Sequence, residues 1–537
     1  MLRLLTAIVA VLLLAPAPDA QQPTRLVVIV VLDQFRADYL TTFASHWRAG
    51  FKTLLADGAV FTRAQYPYLH TDTCAGHFTI ATGTFPRTHG MVADNWWDTG
   101  ARRLIECTDD DQSPVVTYGR ASKLGKSARN SMAPSLADEL RGQRSGARVV
   151  TLSMKARSAI GLAGRGGDAV TWFEEGVGVG SFVTSRAFAA DQVPAVRTFL
   201  TRDSFESDFG KFWMLRDAKD TYRYPDAGIG ERPRQPWTGL FPHEIRGTTG
   251  SRDDAVGLWR ASPFGDAYLG RMAADLSDAF QLGRRDATDF LGVSFSASDT
   301  VGHPFGPASR EIEDTVARQD DVLAGLIKYL DDTVGRERYV LALSADHGVA
   351  DVPVTRNGGR VAQEDVRERI EDILTTRFGP PTGNTRYVIS GTDFIRFAPG
   401  MFDRIRSDAS VMTAIERGVT AIPGVERVLR KDQLSERSTD PIVRAAALTN
   451  FEGRSGDLII VTKPNWPLGG RVAAEAGSHG APYDYDQRVP VILFGAGIKP
   501  GRYDRAATPA DIAPTLARVA GIQMPKAEGR VLSEALR

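Results

Sequence analysis

Three apolar runs in this sequence end in an aspartate. They are Leu26–Asp33 (LVVIVVLD), Phe290–Asp299 (FLGVSFSASD) and Tyr339–Asp346 (YVLALSAD). Histidines follow two of them, at His303 and His347. Histidine is scarce, eight in all, and a third lies in the polar stretch AGSHGAPYDYD as His479. Carboxylate oxygen together with imidazole nitrogen suits Zn²⁺, and three or four such donors complete a site. Asp299 and His303 are the ends of DTVGH, and Asp346 and His347 are adjacent. Each pair alone is weak evidence, and Asp33 alone serves equally well as a turn cap. Asp33, D-x-x-x-H, DHG and a late SHG in this order together point to a metal centre.

Two other stretches have chemistry suited to an anion. TDTCAGHFTIATGTF reads as a polar loop feeding a helix, with Thr73 at the entry. Backbone N–H groups and the helix dipole favour an anion there, although Thr73 fits an N-cap as well. Lys155 and Arg157 follow a strand candidate over Ala147–Leu152. Two apart in an extended segment, they point to one side. They suit a joint grip on phosphate or carboxylate, or two solvated charges.

The apolar runs must position these groups. A short run rich in β-branched residues reads as a strand buried on both faces of a parallel sheet. A charge where such a strand ends lies in the usual ligand crevice of open α/β folds. Ser309–Thr333 carries a helical apolar spacing with Ser309 as cap, so strand, Asp/His loop, helix and the Tyr339 strand make a βαβ unit. Asp33–Asp57 and Val366–Leu374 read as further helices, and Thr508 or Pro509 through Val519 as the last. Gly58–Ala64, Asp457–Thr462 and Val489–Phe494 read as strands. The expected fold is α/β, with a mostly parallel central sheet and helices on both faces. Weakly patterned spans near 100–283 and 351–454 read as insertions into one catalytic unit over 21–537.

Composition agrees with a large globular enzyme: 42% hydrophobic and 24% charged over 537 residues. Lys+Arg and Asp+Glu are both 65, so net charge favours neither nucleic acid nor a membrane surface. Met1–Ala20 has a basic start, an apolar stretch over Leu4–Ala15 and small residues to Ala20, the pattern of a secretory leader. The apolar stretch is short for a membrane span, which needs ~20 residues. Export to the periplasm or medium as a soluble monomer is expected, with an uncleaved N-terminal anchor as the alternative. Cys74 and Cys107 are the two cysteines. They do not form a disulfide framework for so long a chain; in an oxidising compartment they could pair, and the sequence leaves that pairing open while disfavouring it.

The sequence resembles the alkaline phosphatase superfamily from Leu26 to Gly521. The resemblance is closest to the periplasmic zinc-dependent phosphate-irrepressible alkaline phosphatases with a threonine nucleophile. It rests on VVLDQFRADYL, TCAGHFTIATGTFPRTHG, SMKARSAI, SASDTVGHPFGP, ALSADHG and GSHGAPYDYDQRVPVILFG. It implies that Asp299, His303 and His479 hold one Zn²⁺, and Asp33, Thr73, Asp346 and His347 a second. It implies a phosphothreonine at Thr73 during hydrolysis of small phosphate monoesters, with Lys155 and Arg157 as the phosphate clamp. Bound zinc lowers the pKa of a hydroxyl it touches, and the clamp answers charge on the transferred phosphoryl group.

One position departs from the family. A phosphate-binding asparagine is expected where this chain has Asp94, and Asn95 comes next. A loop slipped by one residue, with Asn95 facing the phosphate, is favoured here over a protonated Asp94 or an unusual substrate. Alternatives are a phosphodiesterase or nucleotide pyrophosphatase on the same scaffold, which lack the Lys/Arg clamp, or a zinc-bound phosphate-binding protein with little turnover. The sulfatase motif C-x-P-x-R is absent at Cys74.

Overall fold

All seven residues of strand β1 (Leu26–Leu32) are buried. Alternate side chains enter two different cores. Leu26, Val28, Val30 and Leu32 pack on one face with Leu323, Leu326 and Leu330, and Val27, Ile29 and Val31 on the other with Leu140, Ile512 and Leu516. A strand covered on both faces must be apolar throughout, which is why its sequence shows no alternation.

This arrangement comes from a computed structural model that describes residues 23–537 except 120–124, 175–179, 249, 384, 392–393 and 473–474. The expected leader, Met1–Ala20, lies outside the described residues. No helix among them is long and apolar enough to cross a membrane.

Four more strands join β1 in parallel: β2 (Val149–Ser153), β3 (Ala169–Glu174), β4 (Asp289–Phe295) and β5 (Tyr339–Ser344). Their order is β5-β1-β4-β2-β3 at the centre of an eleven-stranded sheet. Leu32 pairs with Phe295 and Val31 with Ser344, so these strands end level with one another. The α/β expectation is borne out, with a parallel centre and mixed flanks. Val491–Gly495 runs antiparallel to β5, starting with Val491 opposite Ser344. The chain enters that strand from the edge where β5 ends, so it must run the other way.

Four helices matter for the site: α1 (Thr73–Thr82), α2 (Ala156–Ala163), α3 (Ala297–Phe305) and α4 (Arg310–Thr333). The α4 cap is as expected, with Ser309 Oγ accepting from Ile312 N–H at 3.2 Å. The single helix expected over Asp33–Asp57 is broken into Tyr39–Thr42, a 3₁₀ turn at Ala44–His46 and Gly50–Asp57. Asp320 of α4 accepts N–H bonds from Arg48, Ala49 and Phe51. It thus starts a new helix where periodicity suggested a continuous one.

Within the span 100–283, β2 and β3 belong to the main sheet. A second, four-stranded sheet contains Val388–Gly391, Phe394–Phe397, Val425–Arg430 and Leu458–Thr462. It has its own core, with Val366, Ile370 and Leu374 on one covering helix. Cys74 and Cys107 are joined in a disulfide with Cα atoms 6.6 Å apart, the pairing that the sequence left open and disfavoured.

Candidate active site

Four of the five central strands deliver a charged residue beyond their carboxyl ends. β1 leads to Asp33, β2 to Lys155, β4 to Asp299 on α3, and β5 to Asp346 and His347. Because the strands are parallel, all of these reach one edge of the sheet. Asp33, Asp346 and His347 are completely buried.

The histidines are oriented alike. Nδ1 lies 3.1 Å from the Gly477 carbonyl in His303, 2.9 Å from the Gly348 carbonyl in His347, and 3.0 Å from the Thr71 carbonyl in His479. A carbonyl only accepts, so each Nδ1 carries a proton, and in the neutral ring Nε2 is the nitrogen left to bind a metal. That is the usual outer support of a metal-binding imidazole. His303 Nε2 is 3.1 Å from Asp299 Oδ1. His347 Nε2 is 3.6 Å from Asp33 Oδ1, 3.6 Å from Asp346 Oδ2 and 3.5 Å from Thr73 Oγ1. Donor atoms of Asp299, His303 and His479 lie within 4.8 Å of one another, as do those of Asp33, Asp299 and His347. Asp33 Oδ1 is buried without a hydrogen bond, and Asp346 Oδ2 faces the His77 Nδ1 at 3.2 Å. Buried carboxylate oxygens with so few donors, beside imidazole Nε2 atoms, fit a divalent cation.

Thr73 is the first residue of α1, and every residue of that helix is buried. Gly76 allows the close approach: a Cβ there would lie 2.2 Å from the Asp346 carbonyl oxygen. The helix can therefore rest directly on the end of β5, with the Thr73 hydroxyl beside His347.

Lys155 and Arg157 reach the site by a different route from the one expected. They are not in an extended segment: Lys155 sits at the N-cap of α2, and Arg157 in its first turn. Lys155 Nζ lies 2.7 Å from Asp33 Oδ2 and 2.6 Å from Asp299 Oδ2. Burial alone would lower its pKa, but Asp299 and Asp33 outweigh that and keep it above its ordinary value. Arg157 Nε lies 2.9 Å from Asp94 Oδ2.

The slipped loop is not what the structure shows. Asp94 points inward, with Oδ1 accepting the Cys74 N–H at 2.8 Å, while Asn95 is exposed at the start of a short strand paired with Glu106. The Asp94 main chain is fixed by two bonds, from its own N–H to Asp72 Oδ2 at 3.1 Å and from the Cys107 N–H to its carbonyl at 2.9 Å. These bonds set which of the two neighbours turns inward. Burial pushes the Asp94 carboxyl up, against the opposing effect of Arg157.

Residues 27–482 match the type I phosphodiesterase / nucleotide pyrophosphatase family. The chain belongs to that family. It is 29% identical to alkaline phosphatase PhoV of Synechococcus elongatus, over 97% of this chain and 94% of that one. It is 28% identical to alkaline phosphatase PafA of Elizabethkingia meningoseptica, over 98% and 97%. The crystal structure of PafA superposes with a TM-score of 0.87, covering 97% of this chain and all of that one. Murine ectonucleotide pyrophosphatase / phosphodiesterase 5 shares the fold at a TM-score of 0.56 and 15% identity.

This phosphodiesterase-family site also uses residues that sequence reasoning missed. Asp72, just before Thr73, lies 3.3 Å through Oδ1 from His479 Nδ1 and 3.0 Å through Oδ2 from His70 Nε2. Gln34, with φ at 62°, donates its side-chain amide to Asp299 Oδ1 at 3.0 Å and its backbone N–H to Asp346 Oδ1 at 3.1 Å. The only sequence signal for either is adjacency to a ligand candidate. Asp72→Asn is expected to weaken metal binding or activity about 10- to 100-fold, the usual effect of losing such a support. A metal titration followed by turnover at saturating metal separates the two losses.

Proposed function

We propose that the protein is an exported two-zinc phosphomonoesterase that hydrolyses small phosphate monoesters through a phosphothreonine at Thr73. The observation that carries this is the convergence of imidazole Nε2 atoms and buried carboxylates on one sheet edge, with the Thr73 hydroxyl 3.5 Å from His347 Nε2. In this reading Asp299, His303 and His479 hold one Zn²⁺, and Asp33, Asp346, His347 and Thr73 the other. Bound zinc would make the Thr73 hydroxyl a competent nucleophile and stabilise the leaving oxygen. The P–O bond to Thr73 forms as the bond to the leaving alcohol breaks. Water then cleaves the phosphothreonine and releases inorganic phosphate. Lys155 and Arg157 supply positive charge to the non-bridging oxygens, where phosphoryl transfer concentrates charge. The names of PhoV and PafA support this reaction class.

The Met1–Ala20 leader supports a periplasmic or secreted location, and the Cys74–Cys107 bond suits an oxidising compartment. We take 21–537 as one catalytic unit acting as a monomer, with an insertion near 351–454; the span 100–283, expected as an insertion, instead contributes β2 and β3 to the main sheet. No contact with nucleic acid or stable membrane insertion is proposed.

One observation favours a phosphodiesterase instead: Arg157 is already paired with Asp94. Activity on p-nitrophenyl phosphate against its methyl diester decides between the two, and higher kcat/KM on the diester would overturn the main reading. Replacing both Lys155 and Arg157 with alanine should lower monoester kcat/KM by about 100-fold or more. The loss on the diester should be much smaller. Equal losses on both esters would make the pair structural.

A further inference from the structure

Two groups beside Thr73 attract anions by their chemistry, the backbone N–H groups at the start of α1 and the Arg157 guanidinium. One internal carboxylate engages both. Asp94 Oδ1 accepts the Cys74 N–H at 2.8 Å, and Oδ2 faces Arg157 Nε at 2.9 Å. Burial raises the pKa of this carboxyl, and the adjacent Arg157 charge and the Cys74 N–H oppose that in favour of the ionised form.

Asp94 is also tethered. Its carbonyl accepts from the Cys107 N–H, and Cys107 is bonded to Cys74, whose own N–H holds the carboxylate. The disulfide therefore ties the Asp94 loop to the first turn of the helix that carries Thr73. Glu106, next to Cys107, adds a further negative charge 4.0 Å from Arg157. A phosphoryl group taking up these donors meets a fixed negative charge. Repulsion scales with the product of charges, so a dianion is opposed about twice as strongly as a monoanion.

We propose that Asp94 determines specificity by charge: as a fixed internal anion it weakens binding of dianionic phosphoryl groups, including the product phosphate, more than that of monoanionic diesters. This deepens the function proposed above and rests on it for the identity of the substrates. The site would thus accept monoesters with a smaller advantage over diesters than its clamp alone would give, and would hold inorganic phosphate weakly.

The test uses the metal-loaded protein and calorimetric titration with inorganic phosphate at a pH where phosphate is dianionic. Asp94→Asn is expected to tighten phosphate by about tenfold or more and to raise the monoester-to-diester ratio of kcat/KM by a similar factor. Asp94→Ala, which removes the charge and adds no donor, should share most of the gain in phosphate affinity. Unchanged affinity in both variants, or equal rises on both esters, would overturn the proposal. So would a gain confined to the asparagine variant, because a new donor and not a lost charge would then be the cause. Thermal melts of both variants exclude a folding defect. A wild-type protein inactive on monoesters would sink the proposed function, while the phosphate titration would still decide the role of Asp94.

Discussion

Thr73→Ala is expected to lower monoester turnover by about 10³-fold or more, since loss of a nucleophile removes the covalent route altogether. Thr73 opens a fully buried helix, and its hydroxyl projects beside His347 with no competing role in the helix cap, which Asp72 occupies. Removing the hydroxyl should therefore leave the fold intact. Rapid acid quenching followed by peptide mass spectrometry should find phosphate on the peptide containing Thr73 in the wild type and none in the variant. Thr73→Ser should restore both the adduct and a measurable rate. Phosphate trapped on a serine or histidine elsewhere would refute the assignment, and Cys74 is already committed to its disulfide.

His479→Ala should be as damaging, for a different reason. The imidazole comes from a loop outside the parallel strands, and its Nδ1 is anchored to the Thr71 carbonyl at 3.0 Å. With Asp299 and His303 it forms a three-donor set, the least that holds zinc firmly. The wild type should carry about two zinc ions per chain, and the variant about one, with turnover nearly abolished. Elemental analysis after dialysis against weak chelator reads the metal directly and does not depend on activity. Full zinc content with normal rates would show that His479 is not a ligand.

What could be read in the sequence depended on how strongly each feature constrains residue type. Strands covered on both faces must be apolar, so a carboxylate closing such a run stands out, and Asp33, Asp299 and Asp346 were legible for that reason. Histidines in polar loops stood out because the residue is rare here. Features set by distant partners were not legible. The break between Asp33 and Asp57 depends on Asp320, far along the chain. The inward turn of Asp94 in place of Asn95 depends on hydrogen bonds to Asp72 and Cys107. Lys155 and Arg157 read as an extended pair because spacing alone cannot tell a strand end from the first turn of a helix. Asp72 carries no signal at all except its neighbour.

The antiparallel strand Val491–Gly495 has a consequence for when the centre can form. The loop bearing His479 is held at the sheet edge only once Val491 has zipped against Ser344, and Asp33 has by then waited through nearly the whole of synthesis. The site closes by contacts between the two ends of the chain, the slowest kind to form. On the export and metal binding proposed above, a nascent or partly translocated chain would have loose carboxylates and could not capture metal in the final geometry. On the function proposed above, metal choice would thus fall to the compartment in which folding finishes, and the ions available there would decide what the enzyme carries.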